Sequence, residues 1–274
     1  MCDVELLYRQ HLTEGDRRLL RAVGAADGPM AEVLGSPALE QAVFGPDEDR
    51  LVSLGCSPFL TFAVAVHRTA DALESATFVE ERWAPRLRIP VFDADVLRNL
   101  LAGPERRFFL VELLASYTRV HSGVTWTRTA RGWSRRRYSE LDPSRLAELL
   151  DVVEPTERPG IYRRLGDLAL FLLGVFPDHR PPLGAGATTE RLLRLSGVAG
   201  ERVADLDPHV LLELLGARWY GAALVAARTA GQPVLGMLTV AGYMGDHFHD
   251  ARRVLNAVTD RHLYPWRDRW FGGG

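Results

Sequence analysis

The sequence predicts an all-α protein, an irregular multi-helix bundle carrying one small β-hairpin at about residues 124–138. Three observations carry that expectation. Ser36-Pro37, Ser57-Pro58, Asp142-Pro143 and Asp207-Pro208 each place an N-capping side chain before a proline, whose fixed φ and missing N–H suit the first helical position. Long segments repeat apolar residues at three- and four-residue spacing. One stretch, 124–138, instead alternates around a glycine turn.

In chain order, helices are expected at 4–22, 37–44, 57–75, 93–102, 104–119, 142–152, 159–176, 188–195, 207–229 and 233–263, with ends set by caps and prolines. Strands 124–129 and 133–138 are joined at Ala130-Arg131-Gly132, where Gly132 can supply a left-handed conformation. "LDPSRLAELL" at 141–150 and "LDPHVLLELL" at 206–215 are two instances of one capped amphipathic start, too far apart for a solenoid period. The Pro- and Gly-rich "PDHRPPLGAGATT" at 177–189 reads equally well as a linker or as a flexible loop, and a single domain spanning 1–274 is expected, because the apolar helices on both sides need partners.

A chain of 274 residues, 47% of them hydrophobic, is long enough to bury a sizeable core. Its formal net charge of −2 gives no global pull toward nucleic acid or membrane, so any electrostatic recognition must be local. All 33 basic residues are Arg, while Ile occurs only at Ile89 and Ile161 and Asn only at Asn99 and Asn256. A GC-rich coding sequence is the simplest source of that bias, and it weakens the meaning of any one Arg cluster. Cys2 and Cys56 make neither a disulfide framework nor a metal knuckle, which fits a reducing compartment. The start "MCDVELLYRQ" lacks the basic and apolar regions of a signal peptide, and the apolar run Leu165–Pro177 is too short to span a bilayer and contains Asp167. A soluble cytoplasmic protein with no membrane partner is expected.

The densest charge feature is "TRTARGWSRRRYSELDP" at 127–143. In a hairpin, Trp126 and Arg128 share one face of the first strand, and Trp133, Arg135 and Arg137 share one face of the second. Together with Arg136, these form a candidate binding surface of aromatic and guanidinium groups for an acidic protein, or for stacked bases and phosphates. Packed tryptophans with solvated arginines explain the same pattern. Arg82, Arg86 and Arg88 in "ERWAPRLRIPVFD" extend the basic region over 82–137.

"GDHFHDARR" at 245–253 suggests a metal site, but Met244, Phe248, Ala251, Leu255 and Val258 form the buried side of its helix. On such a helix His247 and His249 diverge, and Asp246, His249 and Asp250 face outward, so no metal is expected.

Asp167 in "IYRRLGDLALFLLGVFP" lies among apolar residues on nearly every side, so a buried carboxylate is expected, paired with Arg163 or Arg164. It is the one candidate for catalytic chemistry, and a structural ion pair is the competing explanation. Small residues around Arg218-Trp219-Tyr220 allow close approach of helix 207–229 to 159–176, which would bring Asp167, Tyr162 and Tyr220 to one pocket. No phosphate loop, nucleophile elbow, zinc-protease helix or paired di-iron motif occurs. Cys56 precedes a helix start, yet Leu54 and Phe59 point to burial, and no adjacent His can act as its base.

At "ERWAPRLRIPVFD", "YRRLGDLALFLLGVFPD" and "HDARRVLNAVTDRHL" the chain resembles uncharacterised helical proteins of high-GC actinobacteria, over most of its length after about residue 57. The resemblance implies a source and a helical fold, and no activity, cofactor or site residue.

The leading expectation is a non-enzymatic binding or regulatory protein. It would recognise an acidic protein partner, or a second copy of itself, through Arg128, Trp133, Arg135, Arg136 and Arg137. The rival is a small-molecule enzyme or sensor with Asp167 as acid, base or cation anchor and with Tyr162 and Tyr220 positioning the ligand. A nucleic-acid module comes third, and no cofactor is implied.

Overall fold

The computed structural model describes residues 3–25, 28–45, 55–84, 87–120, 122–129, 132–178, 181, 183, 186–197 and 206–271, the hairpin 122–139 at the level of its backbone. The chain is all-α with small antiparallel hairpins. It groups into two compact units, 1–119 with 253–274, and 120–252.

The first unit is built on a helix with apolar residues all round. We number the helices α1 (Val4–His11), α2 (Glu14–Ala22), α3 (Met30–Leu34), α4 (Pro37–Phe44), α5 (Pro58–Glu74), α6 (Ala94–Leu101) and α7 (Pro104–Ser116). Residues 59–67 of α5 are all buried, so this helix can only be central. It packs against α7 along its length, and α3, α4 and α6 cover the rest. Two starts are tied by one carboxylate. Asp16, fully buried, accepts from Thr13 N (2.8 Å) and Thr13 Oγ1 (2.7 Å) and also from Ser57 N (2.7 Å) at the head of α5.

That capping box at Thr13 divides the expected helix 4–22 into α1 and α2, because Leu12 and Thr13 are extended where the cap forms. Three of the four proline-marked starts are capped by side chains, Ser57 to Leu60 N, Asp142 to Ser144 N and Asp207 to His209 N. Ser36 makes no such bond, and Pro37 alone marks that start.

A second antiparallel pair, β1 (Val79–Ala84) with β2 (Leu87–Val91), adds to the expected hairpin. Its two prolines and mixed charges hide it in the sequence. Ion pairs hold it in place, Arg88 to Asp260 at 2.9 Å and Arg82 to Asp260 at 3.7 Å. The buried Arg253 adds Glu81 and both oxygens of Asp93.

The second unit begins with the expected hairpin, β3 (Ser122–Thr129) and β4 (Gly132–Ser139), in which Gly132 has φ 117°. Three helices then form its core. These are α9 (Arg158–Val175), α11 (Pro208–Thr229) and α12 (Met237–Asp246); the short α8 (Pro143–Ala147) lies beside α9 and β4, and α10 (Ala187–Leu195) beside α8. The expected helix 142–152 ends early, its last turn being 3-10.

The closest pair is α9 with α11, and glycine makes it so. A Cβ at Gly166 would lie 2.7 Å from the Tyr220 ring, and one at Gly216 would lie 2.4 Å from the Phe248 ring and 2.8 Å from Ala169 Cβ. The expected helix 233–263 is interrupted at His247 (φ −118°, ψ 34°), so α12 is followed by α13 (Phe248–Val258) and a π turn at Thr259–Leu263. Its apolar side holds across the break. Met244, Phe248, Ala251, Leu255 and Val258 are all buried.

Among the described residues one helix, α11, is long and apolar enough to cross a bilayer, whereas the sequence pointed to 165–177 as the most apolar run. Leu212, Leu215, Trp219, Tyr220 and Ala223 of α11 are fully buried.

Candidate functional site

Asp167 is 6% exposed and meets Tyr220, which donates from its hydroxyl to Oδ1 at 2.8 Å. Arg163 Nε stands 3.7 Å from Oδ2, one helical turn earlier, while Arg164 turns to Glu140 at 3.3 Å. The sequence therefore brings the expected carboxylate, its arginine and one tyrosine together. The third group goes elsewhere. Tyr162 lines an open cavity of about 800 Å³ in the second unit, and neither Asp167 nor Tyr220 is among the residues that line it. A fully buried Tyr220 and a nearly buried Asp167 have the placement of a core pair joining two helices.

The cavity has a wall of small residues from α11, chiefly Ala217, Gly221, Ala222 and Ala226, and a rim of charge. Arg158 opens α9, Arg194 lies in the last turn of α10 and Arg218 lies midway along α11, and all three side chains are exposed. Among the described residues none of the three has a carboxylate at ion-pair distance. Elsewhere Arg68 pairs with Glu40 and Asp71, and Arg191 with Asp151. Among the described residues Asp246 is the single acid on the rim, so the described lining carries an excess of two positive charges, three arginines less one aspartate. The N-terminal turn of α9 adds the positive end of its dipole.

Burial raises the pKa of the Tyr162 phenol above its ordinary value, the Arg158 cation offsetting part of that rise. The phenol stays protonated at neutral pH and offers a hydrogen bond, not a base. What the cavity can do chemically is hold an anion that has an apolar body.

Arg128, Trp133, Arg135, Arg136 and Arg137 sit on β3 and β4, where the register sets Trp126 opposite Arg135 and Arg128 opposite Trp133. Their side chains, Arg86, Cys2 and part of 177–189 lie outside the described residues. His247 meets Tyr243 in a tilted ring contact with centroids 4.3 Å apart, whereas His249 meets Glu213 at 2.8 Å. Glu213 also takes Arg252 at 2.8 Å; partial burial acts upward on its carboxyl, but the His249 hydrogen bond and the Arg252 charge outweigh it and hold the pKa down. Among the described residues no group of three His, Cys, Asp or Glu side chains could hold a metal ion. Cys56 is pushed up to about 11, first by burial, so its thiol is not a ready nucleophile.

Sequence reasoning named Arg218 and a pocket between α9 and α11, but missed Arg158 and Arg194 as its companions. Arg158, Arg194 and Arg218 are 60 residues apart from first to last and belong to three helices, so no local motif joins them. No protein-family model matches the chain, and no curated protein or solved structure matches it.

Proposed function

We propose that the protein binds a small organic anion in the α9–α11 cavity and works as a ligand-binding or sensing protein of the cytoplasm. One observation carries this reading. Arg158, Arg194 and Arg218 converge from three helices on a cavity of about 800 Å³ without a carboxylate partner among the described residues. A cavity of this size falls within the range of about 300–1,000 Å³ usual for ligand sites. Guanidinium groups are the natural partners of carboxylate and phosphate oxygens. Binding is favoured over catalysis because Tyr162 keeps its proton and, among the described residues, the rim holds a single carboxylate.

Native mass spectrometry of the untagged full chain, purified from a host close to its own, tests the reading. A retained small anion that is lost from an Arg158→Ala, Arg218→Ala double variant supports it. A bare chain, or an anion that the double variant keeps, counts against it.

The hairpin supports a second reading, in which an acidic protein partner or a second copy docks on β3–β4. Its register favours this, since two Trp–Arg cross-strand pairs put aromatic and cationic residues at neighbouring positions. Replacing Arg135, Arg136 and Arg137 by Ser would weaken complex formation without lowering thermal stability. Unchanged complex formation removes the reading.

A further inference from the structure

Glycine is the least favourable ordinary residue in a helix interior after proline, so each one inside a long helix asks for a reason. Most in the second unit have one. Besides Gly166 and Gly216, a Cβ at Gly242 would lie 2.5 Å from Leu224, and one at Gly245 would lie 3.0 Å from Tyr220. Gly160 meets nothing, but it sits in the first turn of α9, where the helix is least demanding.

Gly221 is different. It lies in the middle of the 22-residue α11, its φ is not left-handed, and a Cβ there would meet no atom of the described residues within 4 Å. No described neighbour requires the missing side chain. The space a Cβ would enter belongs to the cavity, whose wall Gly221 forms with Ala217 and Ala222. Arg218 stands one turn away on the same helix.

We propose that the ligand of this cavity is an aromatic acid, its ring lying flat on the α11 backbone at Gly221 and its anionic group meeting Arg218; this rests on the reading of the cavity as an anion site. A wall without side chains beyond methyl groups at 217, 221 and 222 offers a ring face contact over its whole area, which a branched aliphatic body would not use. Tyr162 adds an aromatic ring from α9 in the same cavity. Aromatic surfaces prefer such offset or edge contacts. The gap at Gly221 lets the ring approach the helix by about the depth of a methyl group.

The test is a fluorescence titration of the full chain with anilinonaphthalenesulfonate, an aromatic sulfonate that brightens in apolar surroundings, followed by displacement with naphthoate and with inorganic phosphate. The expected result is saturable binding at one site, displaced by naphthoate and far less by phosphate, and weakened about tenfold or more by Gly221→Leu and by Arg218→Ala. Should Gly221→Leu lower the melting temperature, Ala222→Leu puts the same bulk on the same wall and takes its place. Weakening by Arg218→Ala but not by either leucine variant overturns the ring placement and leaves the anion site standing. Binding unmoved by any of the three overturns both. Absence of binding, or displacement by phosphate as effective as by naphthoate, overturns the aromatic class.

Discussion

Tyr220 donates from its hydroxyl to Asp167 Oδ1 at 2.8 Å, joining α11 to α9 inside a contact that two glycines bring close. A carboxylate that is 6% exposed gains much from such a donor, because a buried acceptor deprived of one carries its desolvation penalty unrelieved. Tyr220→Phe removes the hydroxyl and little else. It is expected to lower unfolding free energy by about 1–3 kcal/mol, read by urea denaturation. Asp167→Asn keeps an oxygen for Tyr220 and is expected to lose less. Anion binding in the cavity should survive both. Loss of binding in a stably folded Asp167→Asn variant would instead return Asp167 to the ligand site.

The sequence made the helices of the second unit legible because their caps and periods are local. It also made Asp167 legible, since a lone acid in an apolar helix must find a partner. The breaks at Thr13 and His247 were harder. Thr13 carries a capping box whose Asp16 is three residues on, a readable signal, but the apolar period runs straight through it. At His247 nothing local announces the break. The β1–β2 pair depends on Asp260 and Arg253, more than 160 residues away, so only the folded chain reveals it. The arginine rim of the cavity was invisible for the same reason.

Glycines divide into two kinds with opposite expected behaviour. Gly216→Ala forces a methyl group to 2.4 Å from Phe248 and 2.8 Å from Ala169, and Gly166→Ala to 2.7 Å from the Tyr220 ring. Each is expected to destabilise by about 1–3 kcal/mol through overpacking. Gly221→Ala, with no atom of the described residues within 4 Å, is expected to stabilise by about 0.5–1 kcal/mol, since alanine loses less backbone entropy in a helix. Thermal and urea unfolding of the three variants read the contrast. Destabilisation by Gly221→Ala would mean that α11 packs there on something other than a ligand.

Arg253 is 5% exposed and holds Asp93 through both terminal nitrogens, at 2.8 and 2.5 Å, with Glu81 on its Nε. Burial acts against its charge, but the Asp93 and Glu81 carboxylates overcome that and raise its pKa. Removing one member of a buried ion network leaves the others uncompensated at about 3–5 kcal/mol. Because the two carboxylates are about a third exposed, 36% and 29%, Arg253→Met is expected at the low end, about 3 kcal/mol. Arg253→Lys should recover only part of this, as an ammonium cannot make the same fork. Chemical denaturation at low and high salt distinguishes this network from a surface pair, which salt would erase.

His67 gives the first unit a pH dependence of definite sign. It lies in α5, 4% exposed, with Nε2 3.2 Å from the Tyr8 hydroxyl. Burial, and then the nearby Arg107 cation, lower its pKa from 6.5 to about 3. Between those values the unfolded chain takes up a proton that folded His67 refuses, so stability falls as pH falls through 6.5 and goes on falling toward 3. The slope contributed by one such group approaches about 1.4 kcal/mol per pH unit. His262, lowered to about 4 chiefly by burial, acts with the same sign. His67→Gln removes the titrating group while keeping a polar partner for Tyr8. Urea unfolding at pH 7 and pH 5 should therefore show a loss for the native chain that exceeds that of His67→Gln by about 2 kcal/mol. Equal losses in the two would mean that His67 accepts its proton inside the fold.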